Sequence, residues 1–145
     1  MARIDGLILR FLEQADGTWQ REPIYAGPNG PRGLAAGHFD VDPAVETVAV
    51  FGYGKKVQLL RRRPGSAWEV ETIFVDTGGG HWLTAGELDG RNTTDELVGG
   101  GFSYHVFLLT RVPGAGFTGI AVDPDHGVPD YAIPARTPRE PSAPR

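Results

Sequence analysis

The chain repeats itself at an offset of 49 residues without a gap, and this period constrains the fold more than any other feature. Gly37/Gly86, Asp40/Asp89, Gly52/Gly101, Val57/Val106, Leu59/Leu108, Leu60/Leu109 and Arg62/Arg111 are identical pairs. The same offset runs backwards through Trp19/Trp68, Glu22/Glu71, Ile24/Ile73, Gly30/Gly79, Leu34/Leu83 and Ala36/Ala85. Phe117 falls where a third Trp would stand, and Val122 where a third Ile would. A fixed period of this length means stacked supersecondary units, each burying its apolar face against the next.

The units read as strands. Glycine (21) and proline (12) exceed a fifth of the 145 residues, which suits short strands joined by turns and disfavours long helices. One repeat offers strands at 33–39, 46–53, 57–62 and 68–75. The next offers 82–88, 95–102, 106–111 and 117–123. Turn clusters such as DVDPAV, RPGSA, DTGGG, DGRNTT and PGAG lie between or after them. The run TVAVF is apolar throughout, as expected of a strand covered on both faces. WEVETIFV alternates, as expected of an outer strand with one wet face. The chain enters mid-unit: 6–12 matches a third strand and 19–26 a fourth. After Asp123 the pattern decays, although Tyr131 stands where Trp82 would repeat. From Pro134 the Pro-, Arg- and Ser-rich composition reads as a solvated tail.

The pattern AGxxD(x)n(D/E)(E/T)(L/V)V…G…V.LL resembles the FG-GAP/VCBS-type repeat of β-propellers. So does the neighbouring W…I……GH element, here Trp68, Ile73, Gly80 and His81. The resemblance covers about 6–123 and implies an all-β fold of propeller-type blades, each of four antiparallel strands. The expected organisation is a repeat domain over 1–133, made of a half blade (1–32) and two blades (33–81 and 82–130), followed by a flexible tail (134–145). A closed propeller needs about 4–8 blades. Two and a half to three blades leave apolar faces exposed, with three solutions: a fragment of a longer propeller, assembly with further copies or a partner chain, or end blades covered by the terminal segments. The half blade favours the first two solutions, since third and fourth strands normally pair with first and second strands from elsewhere.

The resemblance also implies a calcium-binding turn after the first strand of a blade, with oxygen ligands at alternating positions. One copy offers His38, Asp40, Asp42 and Glu46; the other offers Glu87, Asp89, Arg91 and Asp95. His38 is a poor calcium ligand, and Arg91 puts a cation where a carboxylate should sit, so the first loop is the better candidate. The alternative is that Asp40 and Asp89 accept hydrogen bonds from the amides of their own turns. At the other end of a blade, the 4→1 and 2→3 loops share one face. That places Arg32, Lys55, Lys56, His81, Trp82, Tyr104 and His105 around the channel mouth. Such an aromatic and cationic rim suits a carbohydrate or a protein ligand, with Trp82 packed between blades as the structural alternative.

Other signals carry less. Trp19, Trp68 and Phe117 recur at the period, which points to packing. GYGKK lacks the GxxxxGK[ST] pattern of a phosphate loop. KKVQLLRRR becomes YHVFLLTRV in the second copy, so its charge is not part of the repeat. Asn92-Thr93-Thr94 is a glycosylation sequon, relevant only in a secretory pathway. His38, His81, His105 and His126 lack zinc-like spacing, and Ser66, Ser103 and Ser142 cannot be assigned to a nucleophile–base set. No cysteine is present. The net charge of −4 argues against a nucleic-acid partner, and no apolar run reaches the roughly 18 residues that span a bilayer. The N terminus lacks the cleavage site of a signal peptide. The expected protein is soluble, cytoplasmic as given, and extracellular if cut from a longer secreted chain. It reads as a non-catalytic binding module; the alternatives are part of a propeller enzyme acting on sugar derivatives and a purely structural repeat.

Overall fold

The computed structural model describes residues 6–91 and 93–123. Asn92, His126, Tyr131, the end of the last expected unit (124–130) and the tail (134–145) lie outside the described residues. The described residues form ten antiparallel strands in three open sheets, with no helix. No helix is therefore long and apolar enough to cross a membrane.

The first sheet pairs β1 (Leu7–Glu13) with β2 (Trp19–Ala26). The second is a meander of β3 (Pro31–Ala36), β4 (Glu46–Gly52), β5 (Lys56–Arg62) and β6 (Glu69–Val75). The third is a meander of β7 (Gly80–Gly86), β8 (Glu96–Gly101), β9 (Val106–Val112) and β10 (Gly116–Asp123). The pairings of the second sheet recur in the third 49 residues later. Leu34↔Val50 becomes Leu83↔Gly99, Val48↔Leu60 becomes Leu97↔Leu109, and Leu59↔Glu71 becomes Leu108↔Ile120. The bulges recur too: one opens β1 after Ile8, and its counterpart opens β5 after Val57. The strands β3 and β7 begin two residues earlier than the sequence suggested. Pro31 and Gly80 pair with Gly52 and Gly101 across a bulge, which extends each ladder at its start. They end sooner because 37–39 turns away, with Thr47 Oγ1 bridging the Gly37 carbonyl and the Phe39 amide.

Alternation gives each sheet two faces, and the sheets stack through them. Ala35, Ala49, Phe51, Val57 and Leu59 of the second sheet share a core with Leu83, Leu97, Phe107 and Leu109 of the third. Ile8, Ile24 and Tyr25 of the first sheet share a second core with Val50 and Leu60. Trp68 and Phe117 pack onto these cores, each against the sheet that precedes its own. Trp19 departs from the packing role expected of it and is 62% exposed. Its counterparts lean on a preceding sheet, and among the described residues no sheet precedes the first one.

Glycines at equivalent places bring the turns together. A Cβ on Gly52 would lie 2.3 Å from the Asn29 carbonyl oxygen, and one on Gly101 would lie 2.1 Å from that of Gly79. Replacing Gly101 by Ala should therefore cost about 1–3 kcal/mol, as backbone must move to admit the methyl. Trp68→Ala should cost roughly 3 kcal/mol, but Trp19→Ala less than about 0.5 kcal/mol. Urea denaturation of the three variants checks both statements. Equal losses at Trp19 and Trp68 would refute the asymmetry.

Candidate functional site

The meanders place two groups of loops at opposite ends of the sheets. At one end lie the turns 52–56 and 101–105 together with the crossovers into β3 and β7. The two turns share one geometry. The Lys55 amide donates to the Gly52 carbonyl at 3.1 Å, and the Tyr104 amide to that of Gly101 at 3.2 Å. Lys55 and Tyr104 then take left-handed conformations, with φ of 65° and 63°. A tight turn followed by a left-handed residue is a standard three-residue hairpin connection, and it fixes where the second turn residue points. That residue is Tyr53 in one hairpin and Phe102 in the other.

Tyr53 and Phe102 lie 6.2 Å apart by ring centroid and only 10° from parallel. They are about half-exposed, at 47% and 49%. The Arg32 guanidinium sits 5.1 Å from the Tyr53 ring centroid and donates to its hydroxyl. His81 flanks the other side, 5.8 Å from the Phe102 ring. The result is a row of successive contacts, Arg32, Tyr53, Phe102 and His81, in which Arg32 and the two rings are exposed and His81 is half-buried. Its backing is rigid. The amides of Tyr53, Gly54 and Phe102 donate to the carbonyls of Gly30, Asn29 and Gly79 at 2.8–3.1 Å. Buried Asp76 accepts from the Ser103 hydroxyl at 2.6 Å and from the Thr77 amide at 2.7 Å. Its own amide donates to the Lys55 carbonyl at 2.8 Å, so both hairpins are tied to one crossover.

Arg32 and His81 are linked only through Tyr53 and Phe102, two rings the sequence reasoning overlooked. Lys55, Lys56 and Tyr104 are exposed in the adjoining turns, and His105 is half-buried. Trp82 is corrected from a rim residue to a packing one. It is 6% exposed, and its indole lies against Gly100, where an added Cβ would come within 3.0 Å of Nε1. Alternation in β7 sets Trp82 on the face opposite Leu83, the residue that packs against the second sheet.

At the opposite end, the first acidic loop disperses its carboxylates. Asp40 accepts the Asp42 amide at 3.0 Å and pairs with Arg61 at 3.5 Å. Burial raises its pKa, but the Asp42 amide and the charges of Arg111 and Arg61 outweigh this and hold it below the ordinary value. Asp42 accepts the Ala44 amide, and Glu46 pairs with Arg10 and Arg62 at 2.9 and 3.1 Å. Arg61 and Arg62 of the basic run are spent on these pairs. In the second loop Asp89 accepts the Arg91 amide at 2.8 Å, and Asp95 accepts the His38 amide at 2.6 Å. That bond links the second and third sheets.

Among the described residues, the one group of three carboxylates lying within 4.8 Å of one another is Glu87, Asp89 and Glu96. Glu96 replaces Asp95 in the expected set. It is 2% exposed, and one oxygen accepts the amides of Leu88 and Asp89 at 2.7 and 3.2 Å. Thr47 does the equivalent work in the first copy, so no acidic pattern flagged position 96. Three gathered oxygens have the chemistry to face a hard cation, yet their hydrogen bonds are already made within the loop.

Burial pushes the Glu96 carboxyl above its ordinary value, and the charges of Asp89 and Glu87 add to this against the two amides. A carboxyl whose pKa is raised by folding favours the folded state below its unfolded pKa of about 4.3, and that contribution is lost as pH rises through the folded value. Glu96→Gln keeps an accepting oxygen and removes the charge. It should raise the melting temperature at pH 7 and have little effect near pH 4. A loss at neutral pH would show that the amide bonds need the carboxylate.

Compared with known proteins, the chain matches no family model and no curated sequence.

Proposed function

We propose that this chain is a set of β-propeller-type blades of the FG-GAP/VCBS kind, acting as a non-catalytic module that binds carbohydrate. On this reading the first sheet is a half blade, and the second and third are full blades with equivalent registers. The face carrying the 52–56 and 101–105 turns is the ligand-facing end.

The observation that carries the reading is the near-parallel, half-exposed pair of Tyr53 and Phe102. Leaving two large rings half in water forgoes burial worth about 25 cal/mol per Å² of apolar surface. The exposed parts of the two stacked rings offer apolar surface to the polarised C–H groups on one side of a sugar ring. Exposed Arg32, beside Tyr53, supplies donors for hydroxyls projecting from that ring. The hairpin backing fixes the platform before a ligand arrives, which lowers the ordering cost of binding.

A glycan array followed by titration calorimetry tests the reading. Tyr53→Ala and Phe102→Ala should each weaken binding roughly tenfold, with melting temperature unchanged. Arg32→Ala should weaken it less. An array without signal, or affinity indifferent to both ring deletions, would overturn the carbohydrate assignment.

A further inference from the structure

The two ends of the sheet stack expose the two halves of one interface. Inside the stack, the joint between successive sheets uses equivalent residues each time. Ile8 and Ile24 of the first sheet meet Leu60 and Trp68 of the second. Val57 and Ile73 of the second meet Leu109 and Phe117 of the third. The residues 49 positions on from Val57 and Ile73 are the half-buried Val106 and the exposed Val122, on the face of the third sheet that no other described sheet covers. Those 49 positions before Leu60 and Trp68 are Phe11 and Trp19, on the open face of the first. Phe11 and Trp19 are 46% and 62% exposed, and Val122 is 51% exposed. Ile120, on the same face as Val122 in β10, is 57% exposed, whereas its counterpart in the second sheet is Glu71.

We infer that copies of this chain associate head to tail, with the Val106/Val122 face of one copy covering the Phe11/Trp19 face of the next. The occupant is a second copy because the missing cover for Trp19 has the chemistry that Ile8 and Ile24 give Trp68, and the described residues carry that chemistry at the other end, where Ile120 and Val122 are exposed. The interface is heterologous: each copy offers two different faces. Repetition therefore closes a ring or extends an array, according to the rotation between copies.

Light scattering on the full chain, with substitutions at each face, tests this. The wild type should show a mass that is a multiple of one chain and grows with concentration. Trp19→Glu and Val122→Glu should each reduce association sharply, and circular dichroism with a thermal melt should show both folded. Mixing the two variants is the decisive arm. Each retains the face that the other has lost, so the mixture should form a one-to-one dimer and go no further. Phe11→Ser and Ile120→Ser provide a second pair if either Glu variant melts early. A wild type that stays monomeric at every concentration overturns the inference. So does a mixture that stays monomeric while the wild type associates, since that assigns association to another surface.

Discussion

Phe107 anchors the joint between the two four-stranded sheets, and the order of the rest follows from that joint. Its ring meets Phe51 edge-on at 5.2 Å and Phe74 at 4.8 Å, both from the neighbouring sheet. Gly99 makes this geometry accessible, because a Cβ there would sit 2.7 Å from the Phe107 ring. The equivalent joint between the first and second sheets solves the same problem with other chemistry. Gln58 stands for Phe107, Tyr25 for Phe74 and Val50 for Gly99. There the Tyr25 hydroxyl donates to Gln58 Oε1 at 3.0 Å, and Val50 fills the volume that Gly99 leaves to Phe107. A polar pair with a valine and an aromatic pair with a glycine occupy equivalent positions. The repeat conserves the volume of the joint rather than its residues.

That joint also positions the aromatic row. The hairpins bearing Tyr53 and Phe102 belong to different sheets, so the separation of the rings is set by sheet-to-sheet spacing. A ring pair spanning two stacked sheets stays aligned only while the core beneath it holds. Polar clamps reinforce the same joint at the far end, where Asp95 accepts the His38 amide and the Arg111 guanidinium donates to the Phe39 carbonyl at 3.1 Å. Core packing between two clamped ends gives the rim its rigidity, although the rim residues themselves lie in turns.

The strand plan was legible because turn chemistry and apolar patterning act locally, and the period let each copy check the other. The exposure of Trp19 was not legible, because it depends on what lies beside the first sheet rather than on any property of the tryptophan. The aromatic pair escaped notice for a different reason. Tyr53 and Phe102 are equivalent positions that keep a ring. A recurring ring reads as core until the αL residue after it is known to turn it outward. Trp82 was misplaced by the opposite error: a single-residue change of face in β7 separates it from His81. Glu96 was hidden because its counterpart Thr47 holds the same turn with a hydroxyl.

The first sheet has only two strands, and a two-stranded sheet is marginal in water without packing against a neighbour. Among the described residues its support comes from one side, through Ile8, Ile24 and Tyr25, and from the Arg10–Glu46 and Arg62–Glu22 ion pairs that cross the joint. Those side chains are partly exposed, so each pair contributes little and the network weakens further with salt. The apolar recess of about 540 Å³ between this sheet and Leu34, Val48 and Trp68 removes further contact area. Its counterpart in the next joint is filled by Ala35, Ala49 and Phe51 of two inner strands that the first sheet lacks among the described residues. In a stack whose units touch only their neighbours, local stability follows the number of joints each unit makes. Opening should therefore start at β1 and β2 and leave the Phe107 joint, and the aromatic row above it, until last.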